Sequence, residues 1–398
     1  MSDKGKRTIT RSWKKTRFND YFVIDGDRHV IEPIDAFTRY LEPRFRDRGA
    51  IVIQDNVYGS TRFLVEGRLY QKVWGPGQGR REGMSGYRPR GEKPGLSYEQ
   101  AAAWVGGRGK LKDLDDTGID AALWIPTVGL YIPDILDPKL QAAYCRGLNN
   151  WFADAFVAEN RDRLWFAATV PIDPEPARAE AGRAIRELGA SAIWMRPNVM
   201  QGRRWWDPSY DRLWEVLQET GTPLVFHEAT GAYHTTDDPT RKFDDYWMAH
   251  VVSHPLEMTS ALVALIGSGI LERFPGLRVL FCEAGLSWFP YYLFRLDEHF
   301  ETRRDEIPLR LPPSEYFRRQ CVVCSFEPEE ALFAEATRWF GGKNVGATSD
   351  YPHWDSGGLD VLARYVDAFP QLEERERRDF LQNNLAELFG VTWTEGAR

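Results

Sequence analysis

Short runs of apolar residues recur along the chain, and segments with a helical apolar period separate most of them. Each run has the length of a strand, whereas the segments between them are long enough for amphipathic helices. Helices are predicted at 137–160, 175–188, 210–219 and 256–273. The eight predicted strands are 21–25, 121–125, 164–170, 191–195, 223–227, 278–282, 320–325 and 345–349.

Strands that alternate with helices imply a parallel sheet with right-handed crossovers. Eight such units fit a closed barrel better than an open doubly wound sheet. An open sheet of that kind tends to carry a glycine-rich phosphate turn after its first strand, and this sequence has none. We therefore predict an α/β fold, a distorted (β/α)8 TIM barrel.

The long gap between the first two strands, residues 46–110, is predicted to be an insertion. Its first part, 51–74, alternates enough to form a small antiparallel hairpin. Its second part, 75–95, is rich in Gly, Pro and Arg and predicts an irregular loop, either a lid over the barrel mouth or a surface excursion. Residues 1–20 are interpreted as a basic, poorly ordered tail, and residues 21–398 as one catalytic domain.

Composition narrows the possible partners. The net charge of −7 and the pI near 5.7 argue against nucleic-acid binding. No apolar stretch comes close to the ~20 residues that span a bilayer, and the basic N-terminus lacks the apolar core of a signal peptide. Four cysteines in 398 residues do not make a disulfide framework. We expect a cytoplasmic protein with a small-molecule substrate.

Polar residues stand where several predicted strands end. Because the carboxyl ends of barrel strands converge on one face, these side chains are expected to meet there. Imidazoles and carboxylates gathered in this way are the donors that a divalent metal needs. These residues are Asp27, His29, His227, Glu283 and Asp350.

Taken singly, each of these residues has an ordinary structural explanation. His227 would more often be a hydrogen-bonded core histidine, and Asp350 a turn or N-cap aspartate. Glu283 differs because a carboxylate at the end of a buried strand is costly unless it is paired or bound to a cation. Residues of this type at four separate strand ends favour a common site. Glu32, which follows the first strand, is added as a further candidate ligand.

His254 has two possible places, in the site or at a helix N-cap, because Pro255 suits a first helical position. The spacing of His250 and His254 resembles an i, i+4 zinc pair, but Pro255 argues against one continuous helix through both. Cys321 and Cys324 are interpreted as core cysteines, since no second pair completes a zinc site. The candidate substrate-pocket residues are Trp124, Arg196 and Trp288.

Four motifs together resemble the amidohydrolase-related family, the branch of the amidohydrolase superfamily that includes aminocarboxymuconate-semialdehyde decarboxylase and gamma-resorcylate decarboxylase. The motifs lie at 25–33, 253–255, 274–285 and 349–353. The resemblance implies a distorted TIM barrel with a catalytic divalent metal. It matches Asp27 and His29 to the first-strand ligands, His227 to the fifth-strand ligand, and Asp350 to the ligand after the eighth strand.

The chain departs from this family pattern in two ways. The family's decarboxylases place a catalytic histidine at the end of the sixth strand, where this sequence has Glu283. The superfamily's bridging carboxylated lysine has no match either, since Arg196 follows the fourth strand. Decarboxylation therefore competes with hydrolysis in the prediction.

The first functional hypothesis is hydrolysis or C–C cleavage of a small organic acid at a Zn, Mn or Fe ion. The cation would polarise a substrate oxygen and activate bound water. Asp350 is predicted to orient that water and take its proton. Glu283 and His254 are predicted as further acid–base groups.

The second hypothesis counts every candidate donor. Asp27, Glu32, Glu283 and Asp350, together with three imidazoles, exceed what one ion needs. Such a set resembles the ligands of carboxylate-rich diiron proteins. A nonheme diiron monooxygenase with two irons and a redox partner, hydroxylating a secondary-metabolite or CoA-linked substrate, is the alternative. A non-catalytic barrel is disfavoured by the retained donors, and a homodimer is possible in either case.

Overall fold

The structure is a computed structural model of the 398-residue chain. It describes residues 7–13, 20–55, 60–70, 106–230, 232–235, 243, 246–324, 330–351, 353 and 371–395. The predicted lid-like loop at 75–95 lies outside these residues.

Eight parallel strands form the central sheet of the described chain, and they follow one another in sequence order around it. Neighbouring strands pair in parallel throughout. The strands are β2 (Ile24–Val30), β6 (Ala121–Pro126), β7 (Leu164–Thr169), β8 (Ala192–Met195), β9 (Leu224–Phe226), β10 (Val279–Cys282), β11 (Cys321–Cys324) and β12 (Val345–Gly346). This arrangement confirms the predicted TIM barrel.

Backbone hydrogen bonds join the first barrel strand to the chain that follows the last one. The N–H of Gly26 donates to the carbonyl of Ala347 at 2.9 Å, and that of Asp350 donates to the carbonyl of Asp27 at 2.9 Å. A Cβ atom on Gly26 would lie 2.5 Å from the Cys324 sulfur, so only glycine fits this close approach. The barrel therefore closes at the point where two candidate ligands lie.

Helices cover the outside of the barrel. They are α1 (Gly107–Thr117), α2 (Pro138–Trp151), α3 (Pro174–Arg183), α4 (Asp211–Thr220), α5 (Tyr246–Gly267), α6 (Ile270–Arg273), α7 (Trp288–Arg303), α8 (Pro313–Gln320), α9 (Glu330–Trp339), α10 (Glu374–Arg378) and α11 (Asn384–Leu388). Their apolar faces and the outward residues of the strands make one continuous core.

The first barrel strand begins and ends later than predicted, so Asp27 and His29 lie within β2 rather than after it. Asp27 and His29 are tolerated in this strand because their side chains face the barrel interior while their backbone groups pair with neighbouring chain. The N–H of His29, for example, donates to the carbonyl of Tyr351 at 2.9 Å. The sequence pattern missed this extension because it followed apolar residues alone.

Helix α5 runs without interruption through both His250 and His254, so the prediction that Pro255 separates them is wrong. A proline inside a helix removes the hydrogen bond to the carbonyl four residues earlier. That residue here is Val251, which is 61% exposed, so water can solvate the freed carbonyl. The helix therefore tolerates Pro255.

Part of α5 also differs from the prediction that no apolar stretch is long enough to span a bilayer. Met248–Gly267 has the length and apolar composition of a membrane span. Half of this stretch is buried inside the protein.

Residues 7–11, which were assigned to a poorly ordered tail, instead form the strand β1 (Arg7–Arg11). It pairs in parallel with the C-terminal strand β13 (Val391–Glu395). The buried Arg11 guanidinium lies 2.7 Å from the Asp120 carboxylate, which also accepts the Trp13 indole N–H. These contacts give the basic segment a fixed place beneath the barrel.

The predicted hairpin in the insertion is a three-stranded antiparallel sheet in the described residues. It consists of β3 (Ile51–Asp55), β4 (Ser60–Val65) and β5 (Arg68–Tyr70). Phe63 is fully buried and meets Phe37 edge-on, so the sheet packs on the barrel through aromatic contacts.

Asp120→Ala should lower the free energy of unfolding by about 3–5 kcal/mol, because it leaves the buried Arg11 guanidinium with the more distant and exposed Glu395 as its ion-pair partner. Urea denaturation followed by circular dichroism measures this change. Glu306→Ala is the control: it breaks an ion pair with Arg303 in which both side chains are 63% exposed, and it should cost less than about 1 kcal/mol. Equal losses in the two variants would contradict the structural role given to Asp120.

Candidate metal centre

Four side chains from three separate parts of the chain converge at the carboxyl ends of the barrel strands. Asp27 and His29 are two residues apart on β2, so both point to the same face. His227 follows β9 directly, and Asp350 follows β12. One potential ligand atom from each of the four lies within 4.8 Å of all the others, and all four are buried. The structure thus brings together the four ligands that the family resemblance implied.

His29 lies at the centre of this group, which we call the four-residue centre (Asp27, His29, His227 and Asp350). Its Nε2 is 3.3 Å from Asp27 Oδ1 and 3.3 Å from Asp350 Oδ1. The same atom is 3.0 Å from His227 Nε2. Two imidazoles and two carboxylates therefore face one small volume.

Backbone carbonyls set the orientation of both imidazoles. His29 Nδ1 lies 3.1 Å from the Pro126 carbonyl, and His227 Nδ1 lies 2.6 Å from the Glu228 carbonyl. A carbonyl can only accept, so each Nδ1 carries the proton that it donates. Both rings then direct Nε2 into the centre, and these two nitrogens are 3.0 Å apart. Two ring nitrogens this close need a proton or a cation between them, and, although burial opposes it, the Asp27 and Glu283 carboxylates raise the pKa of His227.

Glu283 and His254 extend the group on one side. Glu283 Oε2 is 3.0 Å from His227 Nε2 and 3.3 Å from His254 Nε2. Glu283 comes directly after β10, whereas His254 lies on α5. His254 is therefore in the site, and the alternative N-cap position for it is excluded because α5 continues through it.

Two of the carboxylate residues have strained backbones. Glu283 and Asp350 both have φ near +49°, in the left-handed region that residues with a Cβ rarely adopt. Strain of this type costs on the order of 1–3 kcal/mol per residue and clusters at functional sites. Both residues stand at strand ends, where this conformation turns their side chains into the barrel mouth.

Burial and neighbouring charges shift the pKa values of this group in opposite directions. Burial raises the pKa of Asp27 to about 7, although the nearby His227 opposes this. Burial also disfavours the charge on Glu283, but His254 and His227 outweigh it and hold the pKa of Glu283 well below its usual range. The pKa of His29 is well below its ordinary value because of burial and the adjacent imidazoles. His29 is therefore a neutral ring with an available lone pair.

The donors present fit a divalent metal. Asp27 is fully buried, and neither of its carboxylate oxygens has a hydrogen bond of normal geometry within the described residues. A buried carboxylate is expensive unless it is paired or coordinates a cation. With nitrogen and oxygen donors and no thiolate, the four-residue centre suits Zn, Mn or Fe.

The assignment of Glu32 as a metal ligand is wrong. Its carboxylate is fully buried, and it accepts the backbone N–H groups of Thr127, Val128 and Gly129 at 3.1, 2.9 and 2.8 Å. Glu32 thus fixes the loop that follows β6. The carbonyl of Pro126, the last residue of β6, orients His29. The contribution of Glu32 to the centre is indirect.

Trp124 is not in the pocket either. It pairs with Arg28 across β6 and β2, while the inward His29 pairs with Ile125. Alternation along the strand therefore directs Trp124 outward, where its ring meets Phe156 edge-on and lies beneath the Arg28 guanidinium. Its fully buried position lies between barrel and helices.

Arg196 is buried and extensively hydrogen-bonded rather than directed at a substrate. Its guanidinium donates to Asn198, the Leu130 carbonyl, the Ala229 carbonyl and Glu228. It therefore holds Glu228 in place and is not available as a carboxylate clamp. Trp288 begins α7, and its indole N–H donates to the Ala284 carbonyl at 2.6 Å. It lies beside the Glu283 turn, and its substrate role stays a prediction.

Sequence reasoning missed two residues in the group. His353 Nδ1 is 2.9 Å from Asp350 Oδ1, and its side chain is 18% exposed. Glu228 lies 2.9 Å from Arg196 and 3.6 Å from His254 Nε2. His353 belongs to the motif at 349–353, and Glu228 directly follows His227, so closeness in sequence to a predicted ligand was the signal that could have identified them.

Comparison with known proteins identifies the family of the chain. A family model described as amidohydrolase matches residues 112–391. A decarboxylase of 2-amino-3-carboxymuconate-6-semialdehyde from Dictyostelium discoideum is 28% identical over 282 residues, which cover 70% of this chain and 74% of that protein.

Two solved structures show the same fold. An amidohydrolase from Mycobacterium avium subsp. paratuberculosis K-10 has a TM-score of 0.76 at 21% identity, covering 93% of this chain and 99% of its own. A dihydroxybenzoic acid decarboxylase from Polaromonas sp. JS666, solved with manganese and the inhibitor 2-nitroresorcinol, has a TM-score of 0.63 at 17% identity and covers 93% and 97%. Because the family model spans more than half of the chain, this protein belongs to the amidohydrolase family and is an enzyme of hydrolase or lyase type.

Proposed function

We propose that this enzyme decarboxylates a small aromatic or related unsaturated acid at a divalent metal held by Asp27, His29, His227 and Asp350. The proposal rests on one observation: two imidazole Nε2 atoms, 3.0 Å apart, face two buried carboxylates in one small volume. The relatives named as decarboxylases support the reaction class. The manganese in one of them supports Mn as the first ion to test, ahead of Zn and Fe.

A bound divalent ion would supply Lewis-acid polarisation of a substrate oxygen. The protein itself must provide a proton, because the carbon that loses CO2 has to gain one. Asp350 is buried in the centre, and its Oδ1 contacts His353 Nδ1 at 2.9 Å. Since His353 is partly exposed, it offers a path by which Asp350 regains a proton from solvent. Asp350 is thus assigned as the acid, and His353 as the group that resupplies it.

Hydrolysis is the second candidate, and Glu283 favours it. A carboxylate 3.0 Å from His227 can accept a proton from water, a role that a decarboxylase does not need. The diiron monooxygenase alternative gains no support from the relatives. A cytoplasmic location and a homodimer stay predictions.

The Mn-loaded enzyme, incubated with dihydroxybenzoate and related aromatic acids, should release CO2. In D2O the product should carry deuterium at the vacated carbon. Asp350→Asn should lower the rate at least about a hundredfold, because it removes the proposed acid and one of the proposed metal ligands, while the circular dichroism spectrum stays unchanged. Asp305→Asn, at an exposed position, is the control. Full activity of Asp350→Asn would refute the acid role, and incorporation of 18O from water without CO2 would favour hydrolysis.

The variants Asp27→Asn and Glu32→Gln form a matched pair. They distinguish a carboxylate that binds the metal from one that binds the backbone of a loop. Asp27→Asn should lose most of the bound metal, since an amide oxygen is a weaker ligand than a carboxylate. Glu32→Gln should keep the metal and lose about 1–3 kcal/mol of stability, because it disturbs three buried hydrogen bonds. Metal analysis by mass spectrometry and urea denaturation give the two readouts. Metal loss in Glu32→Gln alone would reverse the assignment.

A further inference from the structure

We propose that a small monovalent anion, with chloride as the first candidate, binds in the protein interior between the side chains of Arg28 and Lys110. Arg28 belongs to β2 and Lys110 to α1. Both side chains are buried, and Arg28 is completely so. Arg28 lies on the face of β2 opposite to its neighbour His29. The site is therefore outside the barrel interior, and it does not depend on the proposed reaction.

The Arg28 guanidinium has no hydrogen-bond acceptor within the described part of the chain. All three of its nitrogen atoms are buried, and none of them makes a hydrogen bond there. A guanidinium stays charged in proteins and offers five N–H donors. A buried charge is costly unless it has both a counter-charge and hydrogen bonds. Arg28 therefore needs an acceptor that these residues do not supply.

The Asp25 carboxylate does not fill this role. Its Oδ2 is 3.7 Å from Arg28 Nε, which is beyond hydrogen-bond distance. The same oxygen accepts the Ser349 hydroxyl at 2.5 Å, and Oδ1 accepts the Ser349 N–H at 3.0 Å. Asp25 is thus engaged with the chain that closes the barrel, and the two Nη groups of Arg28 are left without a partner.

Lys110 brings a second positive charge to the same region. Arg28 Cζ lies 5.1 Å from the ring centroid of Trp124 and 5.0 Å from that of Tyr351. Lys110 Nζ lies 5.4 and 5.3 Å from the same two centroids. Two cations that face the same pair of rings are close neighbours, and like charges repel each other in a low-dielectric interior.

Asp113 offsets the Lys110 charge only in part. Its Oδ2 is 3.5 Å from Lys110 Nζ, at the long limit of a hydrogen bond. Burial lowers the pKa of Lys110 to about 8, and the Arg28 charge adds to this shift although Asp113 opposes it. An ammonium offers three N–H donors, so Lys110 also keeps donors for a further acceptor. An anion between the two side chains would accept from both and remove their repulsion.

The charges around the site favour a small ion with a single negative charge. Asp25 and Asp113 already place two carboxylates beside the two cations. A divalent anion such as sulfate would therefore add more negative charge than the site can balance. A spherical ion such as chloride has no preferred direction for the hydrogen bonds that it accepts, so it can bind a guanidinium and an ammonium at once.

Bromide replaces chloride in the first test, because its anomalous scattering distinguishes it from water. Crystals of the unsubstituted full-length protein, grown in sodium bromide, are measured at the bromine absorption edge. The proposal predicts an anomalous peak in contact with both the Arg28 guanidinium and the Lys110 ammonium. Ordered water alone at this position, or bromide bound only at the protein surface, would overturn it. This test needs no variant.

Thermal unfolding gives the second test, in equal concentrations of potassium chloride and potassium gluconate, whose anion is too large for the site. The melting temperature of the unsubstituted protein should be higher in chloride by at least about 2 °C, because the folded state alone binds the ion. Lys110→Met removes one of the two cations and should abolish this difference. Lys112→Met is the matched control on α1, because Lys112 is 63% exposed and pairs with Asp116. It should keep the full chloride effect.

The same chloride effect in Lys110→Met and in the unsubstituted protein would show that chloride acts elsewhere, and would overturn the proposal. No chloride effect in the unsubstituted protein would overturn it as well. If Lys110→Met does not fold, the bromide density decides alone.

Discussion

The backbone hydrogen bonds that close the barrel between its first and last strands are the constraint on which the site depends. Asp350 N–H donates to the Asp27 carbonyl, and His29 N–H donates to the Tyr351 carbonyl, each at 2.9 Å. These bonds bring residues more than 300 positions apart into direct contact. The Ser349 hydroxyl adds a hydrogen bond to the buried Asp25 carboxylate at 2.5 Å. Without this closure, the ligands on β2 would have no fixed relation to Asp350.

Closure also creates an electrostatic cost that a cation offsets. Buried carboxylates are unfavourable in a low-dielectric interior when no positive charge lies near them. The left-handed backbones of Glu283 and Asp350 add strain. Buried carboxylates and strained backbones together lower the stability of the metal-free protein. The free energy of binding a metal ion would offset this loss. The same arrangement explains why stability and metal content should change together when a ligand is removed.

Much of this site could be predicted from sequence because parallel strands align their carboxyl ends, so polar residues there had to converge. The wrong predictions concern residues whose contacts come from parts of the chain that are distant in sequence. Glu32 is close to His29 in sequence, but the chain turns after β2 and its carboxylate is used by backbone N–H groups of the loop after β6. Trp124 points outward because of its pairing with Arg28, which apolar periodicity does not reveal. The pairing of β1 with β13 joins the two ends of the chain, and no local pattern encodes it.

The most direct test of the account is anomalous X-ray diffraction from crystals of the Mn-loaded protein, recorded at the manganese absorption edge. A metal bound by the four-residue centre should give a strong anomalous peak within bonding distance of Asp27, His29, His227 and Asp350, at the carboxyl ends of the barrel strands. An anomalous peak found only elsewhere in the molecule, or no peak in fully Mn-loaded protein, would show that these four side chains do not bind a common ion.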